Sequence, residues 1–229
     1  MQHILLLHGA IGAKDQLQPL ANALQENFIV HTLDFTGHGG TAIPGEGFSI
    51  NLFAAQVLGH LDEHNIEQAN IFGYSMGGYV AMYLAKHYPQ KIKKLVTLAT
   101  KFYWDETVAA KEVKMLDPDT IQQKIPAFSQ QLEQRHAPAN WKEVLQKTKE
   151  LLEGLGRNNP LQLKDYTAIA TPSLLLLGDR DKMITLEETV DVYKELPNAQ
   201  LGILPATPHP IEQTDINLLA FFIKRFCKE

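Results

Sequence analysis

A single cysteine, Cys227, leaves no partner for an internal disulfide in this chain of 229 residues. That excludes the disulfide-stapled scaffolds of small secreted domains and predicts a chain suited to a reducing cytoplasm. No apolar run approaches the roughly 20 residues needed to cross a bilayer. Met1-Gln2-His3 leads directly into Ile4-Leu5-Leu6-Leu7, without a basic segment or a small-residue cleavage site, so no secretory leader is expected. An excess of positive charge is missing as well. With 26 acidic and 21 basic residues the formal charge is −5, which argues against a nucleic-acid partner. A glycine-rich dinucleotide fingerprint, an internal repeat, a low-complexity segment and a run with metal-ligand spacing are all lacking, so neither a cofactor nor a metal is expected.

What the chain has is enough apolar residue, 45%, to build one large domain that buries roughly 70–75% of its unfolded surface. Six short apolar runs, His3–Leu7, Phe28–Leu33, Ala69–Tyr74, Lys94–Ala99, Ser173–Leu177 and Gln200–Leu204, mostly lack polar alternation. They read as strands of a parallel sheet covered on both faces. Helical patterns separate them at Gln16–Gln25, Ile50–His64, Met76–His87, Leu186–Glu195 and about Ile211 to Phe226. Alternating strands and helices with right-handed crossovers predict a doubly wound α/β fold. The rhythm breaks once. Between Ala99 and Pro172 only helical patterns occur, the clearest at Trp141–Leu152 with Asn140 as N-cap and Gly154 or Gly156 as its end. Residues 101–165 therefore read as a helical cap inserted into a core of residues 1–100 and 166–229.

The motif Gly73-Tyr74-Ser75-Met76-Gly77 falls between a buried strand and a buried helix. A serine at such a turn takes a strained backbone conformation that lifts Oγ clear of the sheet, and small neighbours at Gly73 and Gly77 relieve the crowding. Ser75 is the expected nucleophile, and the following amide, that of Met76, is free to donate to an oxyanion. A serine needs a positioned base, and in open α/β sheets chemistry collects at the carboxyl ends of strands. Of nine histidines, His209 lies there, in Ala206-Thr207-Pro208-His209-Pro210. His60, His64 and His87 fall on helices, His31 in a strand and His136 in the insertion, where packing or surface roles are expected. For the orienting carboxylate, Gly178-Asp179-Arg180-Asp181 offers two candidates. Asp181 is favoured over Asp179, with Asp105 a third. The loop His8-Gly9-Ala10 after the first strand brings a second oxyanion donor, the amide of Ala10, with His8 bracing it.

Together, Leu7-His8-Gly9-Ala10, Asp34-Phe35-Thr36-Gly37-His38-Gly39, Gly73–Gly78, Gly178–Asp181 and Pro208-His209-Pro210 occur in the order of the α/β-hydrolase superfamily, which the chain resembles over nearly its whole length. The resemblance implies an α/β-hydrolase fold of about six mostly parallel strands with helices on both faces, a helical cap, and a Ser75-His209-Asp181 triad. It also implies that Asp34 to Gly39 is a structural loop near the site. The two antiparallel strands that open many members are missing, so Phe28–Leu33 should lie at an uncovered edge, and either a monomer or a homodimer through that edge is expected. Phe102, Trp104, Phe128 and Trp141 are candidates for an apolar pocket roof. The expected activity is cleavage of a small carboxylic ester or thioester through an acyl-enzyme. The alternatives are a lyase or carbon–carbon bond hydrolase, for which Lys101, Lys111, Lys114, Lys124 or Arg135 would clamp a carboxylate, and a non-catalytic small-molecule receptor.

Overall fold

A computed structural model describes residues 1–228. Six strands, β1 (Gln2–Leu7), β2 (Phe28–Thr32), β3 (Ala69–Tyr74), β4 (Ile92–Leu98), β5 (Ser173–Gly178) and β6 (Ala199–Leu204), form one sheet. Its order is β2-β1-β3-β4-β5-β6, and every neighbouring pair is parallel. The central strands β3 and β5 are buried at every position. Their unbroken apolar or small residues follow from having helices on both faces. β2 and β6, at the two edges, are partly exposed.

Side-chain alternation divides the strands between two cores. Leu5, Leu7, Ile71 and Leu175 face one side, where they meet α2 (Ile50–Glu63) and α3 (Met76–His87). Ile4, Leu6, Phe72, Val96 and Leu174 face the other, against α1 (Gln18–Leu24) and α9 (Ile216–Lys228). Two of the expected helices begin later than their apolar patterns. Pro19 sits in the first turn of α1, where its missing N–H costs nothing, and a short 3₁₀ turn at Lys14–Leu17 precedes it. At the other end, the Asp215 carboxylate accepts from the Asn217 and Leu218 amides at 2.9 and 3.1 Å, which starts α9 at Ile216 and leaves Ile211–Gln213 as a separate 3₁₀ turn.

Between β4 and β5 the chain forms α4 (Glu106–Val113), α5 (Pro118–Lys124), α6 (Pro126–His136) and α7 (Trp141–Arg157), and no strand. α8 (Leu186–Glu195) follows β5. Asn140 caps α7 by accepting from the Lys142 amide at 3.0 Å. The helix does not stop at either glycine but continues to Arg157. Gly156 has a packing reason instead: a Cβ there would lie 2.6 Å from Ala109 Cβ and 2.9 Å from the Asp105 carbonyl of the adjoining α4. The buried face of α7, including Trp141, Val144, Leu145, Leu151 and Leu152, belongs to the same core as α2 and α3. The inserted helices thus close over the sheet through a shared core rather than one of their own.

Candidate active site

Ser75 follows β3 directly and stands at φ 51°, ψ −116°, a conformation that L-residues hold only under constraint. The constraint is visible at its neighbours. A Cβ on Gly73 would meet the Gly77 carbonyl oxygen at 2.4 Å, and one on Gly77 would meet the Leu7 carbonyl oxygen at 2.5 Å. Only glycine lets α3 start this close to β1 and β3. The Ser75 amide donates to the Leu98 carbonyl at 2.8 Å, fixing the turn to β4.

His209 sits in the loop after β6. Its Nε2 lies 3.4 Å from Ser75 Oγ, a separation at the long end for a hydrogen bond. Its Nδ1 lies 2.8 Å from Asp181 Oδ2. The Asp181 side chain is only 1% exposed and that of His209 13%. The other Asp181 oxygen, Oδ1, accepts from the Met183 and Ile184 amides at 2.8 and 3.0 Å. Burial opposes ionisation of Asp181, but the His209 hydrogen bond and charge and the two amides outweigh it and hold the carboxyl below the usual range. Asp179 is elsewhere occupied: its Oδ1 accepts from the Thr207 amide at 3.2 Å and so pins the His209 loop. Asp105 is the N-cap of α4, accepting from Val108 at 2.7 Å.

Ala10 and Met76 line a small cavity together with Ser75 and His209. Among the described residues, neither backbone N–H donates to another backbone group. The loop that carries Ala10 is braced from two sides. The buried His8 donates from Nδ1 to the Gly9 carbonyl at 2.8 Å and accepts the Phe35 amide at Nε2, 3.0 Å away. His136, from α6, donates from Nε2 to the Ile11 carbonyl at 3.0 Å and accepts the Gly39 amide at Nδ1, 3.3 Å away. Burial, above all, lowers the proton affinity of both imidazoles, which keeps them in the neutral form these mixed donor and acceptor roles require. Asp34 holds the same region, bound to the Lys14 amide at 2.8 Å and to the Lys14 ammonium at 3.0 Å.

Residues 2–152 match the family described as alpha/beta hydrolase fold. The chain belongs to this family. Among curated proteins this α/β hydrolase is similar to the pimeloyl-acyl-carrier-protein methyl ester esterase of Vibrio parahaemolyticus, 26% identical over 248 residues that span 99% of this chain and 94% of that protein. It is also similar to the poly(3-hydroxyalkanoate) depolymerase of Ectopseudomonas oleovorans, 29% identical over 224 residues, 87% of this chain and 76% of the other. Its fold matches the crystal structure of the enol-lactonase from Burkholderia xenovorans LB400 with a TM-score of 0.80 at 18% identity, over 100% of this chain and 92% of that one.

Four cavities lie around the site of this α/β hydrolase, one of them, about 380 Å³, lined by Asp179 and Asp181 but not by Ser75. The smallest, about 70 Å³, holds Ser75 and His209 beneath Trp104, whose buried Nε1 has no hydrogen-bond partner among the described residues. The next, about 240 Å³, also reaches Ser75 and His209 and has Phe128 and Arg135 in its wall. The largest, about 560 Å³, includes Phe102 but not Ser75. Trp141 lines none of them and packs in the core. Lys101, Glu112 and Met183 stand between the smallest cavity and the largest, belonging to both. The Lys101 ammonium bonds the Met183 carbonyl at 3.0 Å and lies 3.6 and 3.7 Å from Glu112 and Glu188. Sequence reasoning missed this charged partition and the bracing role of His136. Both depend on residues from α4, α6 and α8 reaching loops that are distant along the chain.

Proposed function

We propose that this α/β hydrolase cleaves a small carboxylic ester or thioester through an acyl-enzyme on Ser75. His209 Nε2 takes the Ser75 proton as Oγ bonds to the substrate carbonyl carbon. The Met76 and Ala10 amides receive the oxyanion, a contribution of about 3–4 kcal/mol per donor to the barrier. The tetrahedral adduct collapses and expels the alcohol or thiol, which takes the proton from His209. Water, deprotonated by the same nitrogen, then attacks the acyl carbon; as this second tetrahedral adduct collapses, the acyl C–Oγ bond breaks, His209 returns the proton to Ser75 Oγ, and the acid leaves. Asp181 stays ionised throughout, orients the ring and stabilises the imidazolium.

The observation that carries this reading is the continuous contact from Ser75 Oγ through His209 to Asp181, whose far oxygen is saturated by two amides. The names of the relatives, a methyl ester esterase and a polyester depolymerase, support ester chemistry. The carbon–carbon reading asks for a cation in the cavity free to clamp a carboxylate. Lys101 and Arg135 do line the cavities at Ser75. Each, however, already faces two carboxylates: Glu112 and Glu188 for Lys101, Asp15 and Glu212 for Arg135. That pairing favours a neutral acyl substrate over an anionic one.

The test is intact-protein mass after treatment with a fluorophosphonate. One adduct is expected on the wild type and none on Ser75→Ala, with turnover of short and medium p-nitrophenyl esters lost in the same variant. A folded wild type that takes no adduct and turns over no ester or thioester would overturn the proposal.

A further inference from the structure

We propose that His31, His60 and His64 form a binding site for one divalent transition-metal ion of the zinc type, separate from the Ser75 site. One ring nitrogen from each of the three lies within 4.8 Å of the others. His60 lies in the last turn of α2 and His64 caps it. At this i, i+4 spacing they share a helix face, and their rings stack with centroids 4.2 Å apart. His31 comes from the edge strand β2, and its ring centroid is 5.5 Å from each of the other two.

The hydrogen bonds leave lone pairs where a metal needs them. His64 Nδ1 donates to the His60 carbonyl at 2.9 Å, so its Nε2 keeps a free lone pair. His60 Nε2 is buried and has no partner among the described residues. His31 Nε2 is 2.9 Å from His3 Nδ1. With the proton on His31 Nε2, His3 accepts and His31 Nδ1 is left open. An imidazole whose second nitrogen is held by a carbonyl or another acceptor is the usual state of a metal-bound histidine.

Tetrahedral coordination at about 2.0–2.1 Å places ligand nitrogens about 3.4 Å apart. Small ring rotations by side chains at least partly exposed to solvent close that difference. Three imidazoles without a carboxylate suit zinc, copper or nickel and not calcium or magnesium. The fourth position is left to water. None of these histidines lines a cavity containing Ser75, so the metal's effect is structural. It ties β2, which is hydrogen-bonded on one side only, to the end of α2. Linear spacing hides the site, because the third ligand lies in a strand far before the helical pair.

The test titrates ZnCl₂ against the metal-free full chain in competition with a chromophoric chelator. One Zn²⁺ per chain at micromolar Kd or tighter is expected, with a rise in thermal midpoint on Zn²⁺ addition. His64→Gln, at an exposed position, and His60→Gln should each weaken binding by at least about 100-fold and abolish the rise. His3→Ala, acting through His31, should weaken it by about 10–100-fold. His87→Gln should change nothing, and ester turnover should be the same with and without Zn²⁺. Binding weaker than about 0.1 mM, or affinity unchanged in a folded His64→Gln, or lost equally in His87→Gln, would overturn the site.

Discussion

In the proposed mechanism Asp181 both orients His209 and holds its own loop, and Asp181→Asn separates the two. In the folded chain Oδ1 accepts two backbone amides, from Met183 and Ile184, and Oδ2 faces His209 Nδ1. An asparagine must keep its oxygen toward the two amides, because its NH₂ there would face two donors. Its NH₂ therefore falls on the Oδ2 side and donates to His209 Nδ1. That flips the imidazole to the tautomer with hydrogen on Nε2, which cannot take the Ser75 proton. The expected loss in kcat is about 10³–10⁴-fold, or about 4–5.5 kcal/mol of barrier. Stability should fall by no more than about 2 kcal/mol, as both amides keep a now neutral acceptor. Asp179→Asn, which touches only the Thr207 amide, should stay within about threefold of wild type. The assay is p-nitrophenyl butyrate hydrolysis at saturation, with a urea melt of each variant. An Asp181→Asn enzyme that retains more than about a tenth of wild-type kcat, or an Asp179→Asn that loses more, would refute this assignment of the two carboxylates.

Three further perturbations test the structure around the site. His8 is uncharged when folded, because burial above all drives its pKa from the ordinary imidazole value of about 6.5 down to about 3. The unfolded chain takes up that proton first, so stability is full above pH 6.5 and declines toward pH 3. The largest contribution is about 5 kcal/mol, and a flat denaturation midpoint between pH 6.5 and 4 would contradict it. Ser75→Gly should abolish turnover yet raise stability by about 1 kcal/mol, since glycine holds φ 51° without strain; a lower melting temperature would count against stored strain at the elbow. In α7, Gly154→Ala has nothing within 4 Å and should stabilise by about 0.5–1 kcal/mol. Gly156→Ala, meeting the backbone of α4, should destabilise by about 1–3 kcal/mol. Paired thermal melts that move in the same direction would show that α4 and α7 pack differently.

Much of the architecture was legible before folding because it is local. Strands covered on both faces need apolar runs, and a short, largely apolar run marks each of the six in the sequence within about two residues of its final bounds, although the edge strands β2 and β6 carry polar positions. The elbow was legible because glycines on both sides of a serine record a steric demand at a single turn. Boundaries set by side-chain competition were not. Pro19 and Asp215 shifted two helix starts, and α7 ran through Gly154 and Gly156 because helix-to-helix packing, not chain termination, placed Gly156 there.

By itself the sequence determined the strand and helix order, the position of Ser75, and the short list from which a base and a carboxylate had to come. Only the tertiary structure decided which carboxylate meets His209, since Asp179 and Asp181 are two residues apart and differ in what each loop turn faces. It alone set His136 against the Ala10 loop, Lys101 between two carboxylates, and three histidines from β2 and α2 side by side. These are contacts between segments far apart in the chain. Periodicity and local sterics report what a residue's neighbours along the backbone require, whereas such contacts exist only once packing has brought the segments together.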